Sequence, residues 1–68
     1  MPKKVRELEA ALARAGFVRE SGKGSHRKWT HAASGAYALI SGQPGHDAHR
    51  YQERQVRDAI HHSQTHQP

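Results

Sequence analysis

The chain contains no cysteine, and its 68 residues include only one tryptophan, one phenylalanine and two tyrosines. Without cysteine there are no disulfide staples and no thiolate metal sites, which fits a reducing compartment. Large apolar side chains are scarce, so the core must be drawn from Val5, Leu8, Leu12, Phe17, Val18, Trp29, Tyr37, Leu39, Ile40, Tyr51, Val56 and Ile60. A chain this short buries only about 60% of the surface its unfolded form exposes. One domain is therefore expected, over residues 1–62, with a shallow surface site and neither a cofactor nor a bound metal. No apolar run approaches the roughly 20 residues needed to cross a bilayer. Nor does an apolar segment follow the charges of Met1-Pro2-Lys3-Lys4-Val5-Arg6, as a secretion signal requires. The expectation is a cytoplasmic chain with no membrane partner.

Acidic residues are also in the minority. Eleven Lys and Arg against six Asp and Glu leave a net charge of +5 with histidines neutral, a balance that favours a polyanionic partner, nucleic acid first. The charge is uneven, because residues 29–49 contain no Lys or Arg.

Residues 3–15 read as an amphipathic helix. Val5, Leu8, Leu12 and Ala15 recur at three- and four-residue spacing, Pro2 stands at or before the first turn, and Gly16 is suited to a left-handed stop. Phe17–Glu20, His26–His31 and Ala36–Ser41 read as three short strands. They are separated by turns at Ser21–Ser25 and Ala33–Gly35, which predicts an antiparallel meander. Pro44 and two glycines make 42–49 a loop, with Asp47 a candidate cap for a second helix over about 50–62. Val56, Ala59 and Ile60 share one side of that helix, while Arg50, Arg54 and Arg57 share the other. The polar run 63–68 reads as a frayed tail. Two helices that each carry one apolar stripe need a common surface, so the predicted fold is an α+β two-layer sandwich.

The densest chemical signal lies in the first hairpin. Arg19, Lys23, Arg27 and Lys28 against Glu20 give a net of +3 in eleven residues. Gly22 and Gly24 let backbone N–H groups approach a phosphate, although an ordinary basic turn has the same composition. His26 follows that turn, and strand alternation puts it on the side of Lys28 and Thr30, opposite Trp29. A histidine can give or take a proton near neutral pH, and a neighbouring lysine can hold a phosphate and stabilise developing charge. Together they can support metal-free cleavage of RNA through its own 2′-hydroxyl. His26 is the candidate catalytic residue. Lys23, Gly24, Ser25, Lys28, Arg50, Arg54 and Arg57 are the candidate RNA- and phosphate-binding residues. His46, His49, His61, His62 and His66 lack a recognisable metal spacing and read as solvated. Trp29 reads as core rather than as a base-stacking surface.

Several segments together resemble one family: Ala15-Gly16-Phe17-Val18 after the first helix, Gly24-Ser25-His26-Arg27-Lys28-Trp29, Ser41-Gly42-Gln43-Pro44-Gly45-His46-Asp47-Ala48, and Tyr51–Ile60. This combination resembles the HicA family of mRNA interferase toxins. The resemblance implies a fold like a double-stranded-RNA-binding domain. It implies an endoribonuclease that cleaves mRNA and blocks translation, with the histidine of Gly-Ser-His, His26, as the catalytic one. It also implies a HicB-like antitoxin that covers the active surface. Two other readings fit the same residues: a non-catalytic binder of structured RNA, and a module whose arginine helix meets an acidic protein.

Overall fold

The computed structural model describes residues 2–20 and 26–65. Its elements run α1 (Val5–Arg14), β1 (Val18–Glu20), β2 (Arg27–His31), β3 (Ala36–Ile40) and α2 (Arg50–Thr65). The strands form an antiparallel meander in the order β1-β2-β3. Both helices bury their stripes on one face of it: Val5, Leu8 and Leu12 of α1 and Val56 and Ala59 of α2 join Ala36, Ala38 and Ile40 of β3 in a single core. This is the predicted two-layer α+β sandwich, consistent with a double-stranded-RNA-binding-domain-like fold.

Alternation settles which residues enter that core. Arg19, Trp29 and Ala38 stand in one cross-strand row, and Ala38 is fully buried, so the row faces the helices. The rows Val18–Thr30–Tyr37 and Glu20–Lys28–Leu39 face the other way. Among the described residues no helix covers that open face, and Val18, Tyr37 and Leu39 are exposed on it.

The first helix ends as its sequence predicts. Gly16 has φ of 93°. The Gly16 N–H donates to the carbonyl of Ala13 and the Phe17 N–H to that of Leu12, both satisfying end-of-helix acceptors. Leu12 and Phe17 are both buried beside this turn. At the start of α1, the Lys4 N–H donates to Glu7 Oε2 at 2.8 Å. The N–H groups of Val5 and Arg6 donate to the carbonyls of His46 and Pro44. The 41–49 loop thus supplies the acceptors that the first turn of a helix lacks.

Two expectations are corrected. Asp47 does not cap α2, because its carboxylate pairs with Lys4 Nζ at 2.6 Å. The cap contact is made by Gln52, whose Oε1 accepts the His49 N–H at 2.9 Å. The second helix also continues to Thr65 rather than stopping near 62. No glycine or proline interrupts 46–67, and the hydroxyls of Ser63 and Thr65 donate to the Ile60 and His62 carbonyls within the helix.

Candidate nucleic-acid interface

The interface is built on β2, whose alternation divides its side chains between two environments. Trp29 turns inward, packs against the core and donates from Nε1 to Glu9 Oε2 at 2.9 Å. Arg27, two residues earlier, also turns inward. Its Nε and a terminal nitrogen donate to the two Glu9 oxygens at 2.8 and 3.2 Å, and that terminal nitrogen also reaches the Gly42 carbonyl at 2.9 Å. The pair is largely buried, at 11% and 13% side-chain exposure. Arg27 therefore serves the interior and does not add its charge to the hairpin surface, where the sequence had counted it.

Lys28 turns outward and is exposed, its Nζ lying 5.3 Å from the centre of the Tyr37 ring. His26, immediately before β2, is exposed as well. Carrying the strand alternation back one residue puts position 26 on the side of Lys28 and Thr30. The other candidate residues of the turn, Lys23, Gly24 and Ser25, lie outside the described residues.

Arg50, Arg54 and Arg57 are exposed and line one shallow depression with Glu53. Arg57 makes a loose contact with Asp58 at 4.0 Å. The buried side of α2 carries Gln52, Val56 and Ala59, so these arginines point away from the sheet. Lys28 points away from the helices. The two basic surfaces occupy opposite faces of the sandwich and do not form one site.

The remaining described histidines are separate, and His66 lies outside the described residues. His31 sits half-buried beside Phe17, at 5.3 Å between ring centres, with Nδ1 2.7 Å from the Ser34 hydroxyl. His49 stacks on Tyr51 at 5.7 Å, and His46, His61 and His62 are exposed. Among the described residues no three His, Asp or Glu side chains converge as a metal site would need, and no helix is long and apolar enough to cross a membrane. The hydrogen bond and charge of Lys4, with a smaller contribution from His46, hold Asp47 below the ordinary carboxylate range.

Composition and periodicity single out neither Glu9 nor Gln52, and they place Tyr37 in the core. Glu9 falls within the stripe Val5, Leu8, Glu9, Leu12, where an ionisable residue signals a buried partner. Gln52, 2% exposed, stands four residues before Val56 on the buried side of α2 and donates to the Ser41 carbonyl at 3.0 Å. Tyr37 is exposed instead, and no local signal distinguishes it, since its exposure follows from there being no third layer among the described residues.

A family model described as the HicA toxin of bacterial toxin–antitoxin systems matches residues 5–63 of the chain. Comparison with curated protein sequences finds no match.

Proposed function

The chain belongs to the HicA toxin family, and from that premise we propose that it is a metal-independent endoribonuclease that cleaves mRNA and blocks translation, with His26 as its general acid–base. As a toxin of a toxin–antitoxin pair it has an antitoxin partner; the reading adds that this partner is HicB-like and covers the open sheet face. One observation carries the assignment of roles: His26 and Lys28 are both exposed, one alternation step apart, while Trp29 between them and the core packs inward.

In this reading the RNA 2′-hydroxyl attacks the adjacent phosphorus and the 5′-oxygen of the next nucleotide leaves. His26 takes the 2′-hydroxyl proton or supplies one to the leaving 5′-oxygen, and water makes the other transfer. Lys28 stabilises the negative charge that builds on the phosphoryl oxygens, and Lys23, Gly24 and Ser25 hold the phosphate from the preceding turn. The products are a 2′,3′-cyclic phosphate and a 5′-hydroxyl. Arg50, Arg54 and Arg57, on the far face, attract the backbone of the same polyanion by charge rather than touching the scissile bond.

The test incubates the purified chain with labelled mRNA and resolves it on a denaturing gel. Cleavage is expected with EDTA present, and none where the substrate carries 2′-deoxyribose throughout. His26→Ala should lower the rate by about 10²–10⁴-fold and relieve growth arrest, with an unchanged circular dichroism spectrum. A folded His26→Ala protein that remains fully toxic would overturn the assignment. Salt-sensitive binding without products would instead favour the non-catalytic RNA binder.

A further inference from the structure

The open face of the sheet carries a second feature that the cleavage chemistry does not use. Tyr37 is 56% exposed on the edge strand β3, with Leu39 at 49% beside it and Val18 at 66% in the same cross-strand row. The only described cation of this face, Lys28, makes no ion pair, even though Glu20 stands opposite it in register. Its ammonium instead rests 5.3 Å from the centre of the Tyr37 ring. A cation in that position marks the π-face of the ring as open to a ligand.

We propose that this face is a stacking platform for an unpaired nucleotide. A base takes the place over Tyr37 now held by the Lys28 ammonium, and Lys28 moves to the adjacent phosphate. The proposal rests on the ribonuclease reading and deepens it, because it names the side chains that hold an unpaired nucleotide of the substrate.

Three physical arguments support it. A nucleotide brings a flat π-surface and an anion together, and Tyr37 and Lys28 are an aromatic ring and a cation side by side. The exchange is favourable, since a base stacked on an aromatic ring contributes more than one exposed cation–π contact. A duplex does not suit the face: its bases are stacked on one another, and its phosphates would find a single described cation among Val18, Leu39 and Thr30. Continuity with His26 gives the platform its purpose: it holds the strand in register along β2, one alternation step from the group that moves the proton.

The test measures binding by fluorescence anisotropy with a short 2′-fluoro RNA strand of mixed sequence, which lacks the attacking hydroxyl. The same strand annealed to its complement, and an abasic spacer strand with the same number of phosphates, serve as comparison probes. Tyr37→Ala should weaken binding of the base-bearing single strand by roughly 5- to 150-fold. It should leave the abasic strand and the duplex unaffected. Tyr37→Trp should restore binding, and this separates stacking from any general effect on the fold. Lys28→Ala should reduce the steepness of the salt dependence by about one phosphate contact, roughly 0.7 in the log–log slope.

Equal affinity of wild type and Tyr37→Ala for the base-bearing strand overturns the proposal, and so does a Tyr37→Trp protein as weak as Tyr37→Ala. If the wild type still cleaves RNA in that case, the ribonuclease reading survives and only the platform falls. If the wild type binds none of the probes and cleaves nothing, both fall. Loss of antitoxin binding in Tyr37→Ala with RNA affinity intact would assign the face to the protein partner and also overturn the proposal.

Discussion

Glu9 accepts three hydrogen bonds at the seam between α1 and the sheet, two from Arg27 and one from Trp29. Removing it would leave a largely buried guanidinium without its counter-charge and an indole N–H without its acceptor. Breaking a buried pair from one side costs far more than the pair itself contributes. Glu9→Ala is therefore expected to lower the unfolding free energy by about 3 kcal/mol, read as a lower urea midpoint at unchanged slope. Glu9→Gln should lose less, because an amide oxygen still accepts. An unchanged midpoint for Glu9→Ala would show that water reaches the Arg27 side chain. The position was legible in part, since a carboxylate at stripe spacing with Val5, Leu8 and Leu12 is anomalous in sequence. Its partners were not: Arg27 and Trp29 lie 18 and 20 residues away, and only the packing of α1 across the sheet brings them to it.

Among the elements, the boundary between α1 and β1 depends most on a single residue. At φ of 93° Gly16 occupies a conformation that L side chains rarely adopt. A Cβ there would meet the His31 ring at 3.5 Å, an ordinary contact, so the penalty comes from the backbone alone. Gly16→Ala should destabilise the fold by about 1–2 kcal/mol, measured by thermal or urea unfolding, with the site untouched. A neutral result would mean that the turn rearranges without disturbing Phe17. This element was readable in advance because a helix stop is local chemistry. The start of α2 was not. Asp47 has the right residue type for a cap, yet it is drawn away by Lys4. Gln52 takes the capping contact from three residues downstream.

On the scale of the whole molecule, the contact between Lys4 and Asp47 closes the structure by tying the first residues to the loop before the last helix. The bridge between these two residues and the bond from the Ala48 N–H to the Lys3 carbonyl lie beside it. Because Lys4 lowers the folded-state titration of Asp47, the unfolded chain takes up that proton more readily. The stabilisation is then complete above the unfolded value of about 3.9 and disappears as pH falls through the lower folded value. Asp47→Asn should accordingly lower the melting temperature near neutral pH, by a small amount since both groups are exposed. The difference from wild type should vanish in strong acid. A difference that persists there would assign the effect to the loop backbone rather than to the charge.

By itself the sequence determined the order of elements, the apolar stripes, the stop at Gly16 and the basic character of the chain. All of these depend on residues within a turn or two of each other, where spacing and backbone preference act without help. It also determined that Trp29 and Lys28 must face opposite ways, because strand alternation allows nothing else. Only the tertiary structure decided which way was inward, and with it the destination of each charge. Packing α1 onto β2 took Arg27 into the interior to meet Glu9. Packing α2 on the same side turned Arg50, Arg54 and Arg57 away from Lys28. With no layer on the other side among the described residues, Tyr37 was left uncovered. Such outcomes arise from which surfaces find apolar partners across the molecule, and no local pattern encodes that choice.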